Sequence, residues 1–250
     1  MQPLAESLLA LALMLAGAGA GTALRRALPD HHLDENAKDI VRLGAALVAT
    51  ITALVLGLLI NSSYNSFEAQ RTDVRQIAAD VILLDTVLEN YGTAARPTRL
   101  ALRQAIAGLI DQVWHGQEPR DGAPPLGSAS HALYNSISGL QAATPLQLTL
   151  KEQGLVTAIR LAQTRLALFE WSRARLPQPI LYVVVFWLTA LFVSFCLFTP
   201  LNPTSMVALL LVALCGAAAL YLILDMQQPF TGLMRVSPVA LEKALPALSG

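Results

Sequence analysis

The 250-residue chain balances 17 Lys and Arg against 17 Asp and Glu, so its formal net charge is zero. That excludes the basic footprint of a nucleic-acid-binding protein and a polybasic membrane anchor. Hydrophobic residues make up 54% of the chain and charged residues 14%, against about 25% charged in a typical soluble protein, which predicts that part of the chain lies in lipid.

The first predicted element is an apolar helix from Pro3 to Leu24. Its Ala- and Gly-rich end resembles a signal-peptide cleavage region, but a signal peptide needs a basic n-region. Here Glu6 is present and no Lys or Arg precedes Arg25, so a retained first transmembrane helix is expected. Gly17 and Gly21 form a small-xxx-small pair, which lets a neighbouring helix backbone come close. The next segment mixes Arg25, Arg26, Lys38 and Arg42 with Asp30, Asp34, Glu35 and Asp39. Asp34 and Lys38, spaced i,i+4, predict a helical lead into the second span. His31 and His32, beside Asp34 and Glu35, match no ligand spacing and read as solvated.

The second span runs from Leu43 to Ile60, interrupted only by Thr50 and Thr52. Asn61 to Gln178 then changes character, with eleven Lys and Arg and ten Asp and Glu. From Phe67 onward, Val74, Ile77, Val81, Leu84 and Leu88 recur at spacings of three and four, one face of an amphipathic helix. This helix is expected to continue the second span and to end at Gly92 in the C′ position. Pro97 fits the start of the next helix, whose stripe is Leu102, Ala105, Ile106, Leu109, Ile110 and Val113, ending at Trp114-His115-Gly116. Gln117 to Ser130, rich in Gly and Pro, is expected to be a loop. A short helix from His131 to Leu140 and a long one from Leu146 to Arg175 follow, the latter closed by Pro177 and Pro179. Two more spans, Ile180 to Phe198 and Ser205 to Leu224, are joined by a tight turn containing Pro200 and Pro203, with Asn202 or Thr204 as helix cap. Each of the four spans approaches the roughly 20 residues that cross a bilayer core.

The expected fold is therefore an all-α membrane protein: four transmembrane helices with a helical cytosolic domain inserted between the second and third. Residues 1–60 form the first helix pair, 61–178 the inserted domain, 179–226 the second pair and 227–250 a C-terminal segment. Basic residues near the spans number four on one side (Arg25, Arg26, Lys38, Arg42) and six on the other (Arg71, Arg75, Arg173, Arg175, Arg235, Lys243). The excess predicts both termini and the inserted domain in the cytoplasm.

Chemistry has little to stand on. Cys196 and Cys215 lie in apolar runs and read as small buried hydrophobes. His115, His131, Glu118 and Asp121 read as surface loop residues, and Asp80, Asp85 and Glu89 as solvated or salt-bridged. No phosphate loop, nucleophile elbow or metalloprotease motif occurs, so neither enzyme chemistry nor a cofactor or metal is expected. Arg71, Arg75, Arg96, Arg99 and Arg103 are positioned to form a basic face.

Two stretches resemble a family. Leu59-Ile-Asn-Ser-Ser-Tyr-Asn-Ser-Phe-Glu-Ala-Gln-Arg71 resembles the bacterial bestrophin pattern Arg-Thr-Asn-Ser-x-Tyr-Asp-Arg-Phe-Trp-Glu-x-Arg through Asn61, Ser62, Tyr64, Phe67, Glu68 and Arg71, with a one-residue gap needed for Phe67 and Glu68. Leu224-Asp-Met-Gln-Gln-Pro-Phe-Thr-Gly232 resembles the Glu-x-Pro-Phe-Gly segment that follows the last bestrophin membrane helix, through Pro229 and Phe230. The chain looks more similar still to the bacterial bestrophin-like family of unassigned function. Ile60 replaces the first Arg of the pattern, and Thr231 to Pro238 holds Arg235 and no carboxylate, so the calcium clasp of animal bestrophins is not expected.

The resemblance implies a homopentameric anion channel in the lipid bilayer, passing small inorganic ions, with the second helix around the axis. It places an apolar neck between Leu47 and Leu58 and a polar exit at Asn61 and Ser62. An apolar constriction gates by dewetting and a polar exit rehydrates the ion. One register puts Leu47, Ile51 and Val55 on the axis; another puts Thr50, Leu54 and Leu58 there. The first is preferred because Thr50 interrupts an apolar ring. The rival reading is a non-conducting membrane sensor or scaffold whose helical domain binds a partner.

Overall fold

The computed structural model describes residues 3–28, 35–114, 126–173, 178–198, 202–230 and 232–247. His31, His32, Asp34, His115, Glu118, Asp121, Arg175, Pro177, Pro200 and Thr231 lie outside the described residues. The elements are α1 (Pro3–Ala27), α2 (Glu35–Tyr91), a 3-10 turn (Thr93–Ala95), α3 (Arg96–Trp114), α4 (Leu126–Ser138), α5 (Pro145–Arg173), α6 (Gln178–Phe198), α7 (Pro203–Met226) and α8 (Val239–Ala247). No strand occurs among the described residues. Helices α1, α2, α6 and α7 are each long and apolar enough to cross a membrane.

Most elements fall where hydrophobic periodicity puts them. The second span and the amphipathic helix after it are one continuous 57-residue helix, α2. It stops at Gly92, which takes φ +107°, a value that favours glycine. Helix α5 begins with a local cap: Thr144 Oγ1 accepts the Gln147 N–H at 3.2 Å, and Gln147 Oε1 accepts the Ala143 N–H at 2.9 Å. These bonds satisfy amides that a helix start leaves without intrahelical partners. Asn202 occupies the N-cap position of α7 with extended backbone. Two expectations are corrected. Helix α4 begins at Leu126, not at His131; the prolines before it are as compatible with a helix start as with a loop. Helix α8, in the C-terminal segment, was not foreseen.

Two compact units divide the chain. The first comprises residues 1–66 and 175–227. Its core gathers Ala10 and Met14 of α1, Leu59 of α2, Val184 and Phe192 of α6, and Ala213, Ala217, Leu220 and Ile223 of α7. Helices α1 and α6 pack very closely because glycine removes the side chain between them. A Cβ on Gly17 would lie 2.9 Å from the Thr189 carbonyl oxygen, and one on Gly21 2.5 Å from the Val193 carbonyl oxygen. Helix α7 meets α1 where Gly216 leaves room for the fully buried Met14, whose Sδ would stand 3.5 Å from an added Cβ. Cys196 is buried, but Cys215 is exposed, which corrects its reading as a buried hydrophobe. A helix apolar all round gives no sequence signal for which face packs.

The second unit comprises residues 67–174 and 228–250. Val74, Ile77, Val81, Leu84 and Leu88 of α2 are buried together with Leu102, Ile106 and Leu109 of α3, Leu133 and Ile137 of α4, and Leu161 and Leu168 of α5. Polar contacts fix the helix registers. Thr98 and Ser136 share a 2.7 Å hydrogen bond, and Lys151 Nζ donates to the Leu140 carbonyl at 2.7 Å. Arg99 donates twice to Asp85, Nε to Oδ1 at 2.6 Å and Nη2 to Oδ2 at 2.9 Å. That hydrogen bond raises the Arg99 pKa above its ordinary range despite partial burial. The arginine therefore holds its proton, and the pair its contribution, until pH rises through the guanidinium's own titration.

Gly21→Ala should destabilise the first unit by about 1–3 kcal/mol, since a backbone atom must move. Gly19→Ala, with nothing within 4 Å of the added atom, should be neutral or mildly stabilising through helix propensity. Thermal unfolding in detergent separates the two. Arg99→Ala strands a buried carboxylate and should cost about 3–5 kcal/mol, most of it recovered by Asp85→Leu with Arg99→Met; the same assay reads both.

Candidate functional site

Helix α2 presents two different faces in the first unit. Thr52, Leu59 and Ser63 are buried, and Val55 and Leu56 pack against the core cluster. The opposite face carries Leu47, Ile51, Leu54 and Leu58, which are 63%, 40%, 66% and 60% exposed. Spacings of four, three and four keep these side chains in line at 3.6 residues per turn. The line continues into exposed Asn61, Ser62 and Asn65. Leu47 and Ile51 thus share a face with Leu54 and Leu58, whereas Val55 is half-buried against its own unit. Thr50, also exposed, spends its hydroxyl on the Ala46 carbonyl at 2.9 Å.

The remaining motif residues separate. Tyr64 is 51% exposed. Glu68 and Arg71 form an exposed i,i+3 pair at 3.4 Å. Of the five arginines expected to form a basic face, Arg71, Arg75, Arg96 and Arg103 are exposed, but Arg99 is spent on Asp85. Asp80 is buried, accepting from Gln76 at 3.1 Å and lying 3.7 Å from Arg160. Asp80 and Asp85 are paired, not solvated. His131 is exposed, and no group of three or more His, Cys, Asp or Glu able to hold a metal occurs among the described residues.

In the second unit, Pro229 is buried and its carbonyl accepts the Val236 N–H at 2.6 Å. Gly232 N–H donates to the Gln228 carbonyl at 3.1 Å, so the segment after α7 closes on itself. Phe230 meets Trp114 edge to face, ring centroids 5.1 Å apart and planes at 73°. Trp114 Nε1 donates to the Val236 carbonyl at 2.7 Å. Trp114 carried no role in the sequence reading. The available signal was its chemistry: an indole N–H withdrawn from water needs an acceptor, and Trp114 is half-buried.

The Bestrophin-like domain matches residues 12–241. The chain belongs to the bestrophin-like family. No protein with a curated description matches it in sequence. Three crystal structures of a bacterial bestrophin homologue from Klebsiella pneumoniae resemble it, each at 14% identity. Two carry point mutations, with TM-scores of 0.73 and 0.72, covering 99% and 98% of this chain and 97% and 96% of theirs. The third, solved by zinc phasing, gives 0.68 over 97% of this chain and 96% of its own. At that identity the likeness establishes the fold. The bestrophin-like chain is thus an all-helical membrane protein, as its two motif stretches and four apolar helices led one to expect.

Removing either ring of the Trp114–Phe230 pair should release the C-terminal segment. Phe230→Ala and Trp114→Ala should each speed limited proteolysis between residues 228 and 247, with about 0.5–1.5 kcal/mol lost from the ring pair alone. Unchanged digestion of both variants would show that the rings do not hold the segment.

Proposed function

We propose that this bestrophin-like chain forms an oligomeric ion channel, a pentamer by family resemblance, with α2 of each copy around a central axis. The observation that carries the reading is the exposed apolar line Leu47, Ile51, Leu54 and Leu58, which passes on one face into Asn61 and Ser62. Apolar rings withhold the hydrogen bonds that hydrate an ion, and the amide and hydroxyl side chains beyond them return those bonds. The neck proposed here follows the exposed line, taking Leu47 and Ile51 from one register and Leu54 and Leu58 from the other. Val55, held against its own unit, supports the helix from behind. Anions are favoured by resemblance, with Arg71, Arg75, Arg96 and Arg103 supplying positive potential. The basic bias favours both termini, and a helical domain that begins within α2, on the cytoplasmic side, and the family resemblance favours a bacterial inner membrane.

Purified protein in planar bilayers under a salt gradient tests the reading. Ile51→Ala with Leu54→Ala should widen and wet the neck and raise conductance several-fold, with an anion-selective reversal potential. Val55→Ala should lower thermal stability by about 0.5–2 kcal/mol and leave conductance near wild type. Silence from wild type and double variant alike would reject the channel and favour the scaffold. A cation-selective reversal potential would keep the pore and reject the anion assignment.

A further inference from the structure

We propose that a groove between α2 and α6 binds an anionic phospholipid, its acyl chain in the groove and its phosphate on Arg42. The groove lies where α2 begins and α6 finishes. It is a cavity of about 420 Å³ lined by Val41, Arg42, Ala45, Ala46 and Ala49 of α2 and by Ser194, Phe195 and Phe198 of α6. The volume falls within the range of pockets that hold small organic ligands.

The lining states the chemistry of the occupant. Three alanines on α2 leave the space, and two phenylalanines wall it. Ser194 donates its hydroxyl to the Ala190 carbonyl at 3.0 Å, so it has no proton left for a ligand. Arg42 is the one charged side chain among the lining residues. Its ion-pair contact is with Asp39 at 3.8 Å, with both side chains about 70% exposed, a pairing worth little in water and easily displaced. A trough with one guanidinium at its mouth suits an apolar chain carrying one anionic head, and arginine matches phosphate geometry in particular.

Position agrees with chemistry. Arg42 immediately precedes the apolar run of α2, where basic side chains meet phospholipid headgroups. From Arg42 to Ala49 the helix rises about 10 Å, so the groove runs from the interface into the hydrocarbon. At 3.6 residues per turn, Ala45 and Ala49 lie opposite Leu47, Ile51 and Leu54. A bound chain would therefore wedge the back of α2 without entering the proposed neck. The inference rests on α2 and α6 being membrane helices and not on conduction.

Native mass spectrometry of the purified full chain tests it, with phosphatidylglycerol titrated against phosphatidylcholine of the same acyl composition. Wild type should retain phosphatidylglycerol roughly fivefold better, the effect of one basic residue at a lipid surface. Arg42→Ala should abolish the preference, and Arg42→Lys should restore part of it. Ala49→Leu, which fills the groove, should lose both lipids with the oligomer intact. Equal retention of the two lipids by wild type, a surviving preference in Arg42→Ala, or undiminished binding by Ala49→Leu would each overturn the proposal. Dissociation of the oligomer by Ala49→Leu would place a second copy in the groove and overturn it too. Arg42 is exposed, so its variants decide the matter even if Ala49→Leu fails to fold.

Discussion

Lipid offers no partner for a backbone amide or carbonyl, and each one left unpaired there costs several kcal/mol. Helix α2 meets that constraint with one unbroken hydrogen-bond ladder from Glu35 to Tyr91. Its first part belongs to one compact unit and its second part to the other. Within the apolar run, side chains keep a fixed phase of 3.6 residues per turn. The face that buries Thr52, Leu59 and Ser63 therefore sets which residues remain outside in the apolar run. It also sets which polar residues follow them on the same line, Asn61, Ser62 and Asn65.

The rest of each unit can be understood as support for α2. In the first unit, glycine at positions 17 and 21 brings α1 against the backbone of α6, and Met14 fills the space beside Gly216. In membranes, where apolar burial gives little drive to association, such close contact is the main source of helix-packing energy. In the second unit the hydrophobic effect acts in full, and the buried leucines and isoleucines of four helices form an ordinary core. The Asp85–Arg99 pair there is bidentate and nearly dry. Pairs of this kind bring less stability than their geometry suggests, but they penalise any packing that separates the partners. Trp114 closes the unit by gripping Phe230 and the Val236 carbonyl.

Much of this was legible in the sequence because the relevant signals are local and periodic. The stripe from Val74 to Leu88 announced a helix continuing the second span, and Gly92 announced its end. The two motif stretches around Tyr64 and Phe230 named the family. What was not legible depends on contacts between distant residues or on the choice of face. Asp85 and Arg99 are fourteen residues apart, and nothing local couples them. Trp114 and Val236 are separated by 122 residues. Helix α8 spans nine residues, too few for its periodicity to stand out, although Ser237-Pro238 precedes it and Ser237 Oγ accepts the Val239 N–H at 3.4 Å. The faces of α7 cannot be told apart by composition, so Cys215 was placed inside when it lies outside. The two neck registers differ by about one residue, and it is the packing of Thr52, Val55, Leu56, Leu59 and Ser63 that distinguishes the faces of α2.

The central claim is that the exposed apolar line of α2 faces α2 of other copies across an axis. Cross-linking in native membranes with a short bifunctional thiol reagent tests it most directly, using single cysteines in a chain with Cys196 and Cys215 replaced by alanine. Ile51→Cys and Leu54→Cys should each give a cross-linked dimer, the largest product that one thiol per chain allows, and Ala45→Cys, on the back of the helix, should stay monomeric. A cross-linked dimer from Ala45→Cys with none from Ile51→Cys or Leu54→Cys would put the apolar line in lipid and contradict the account.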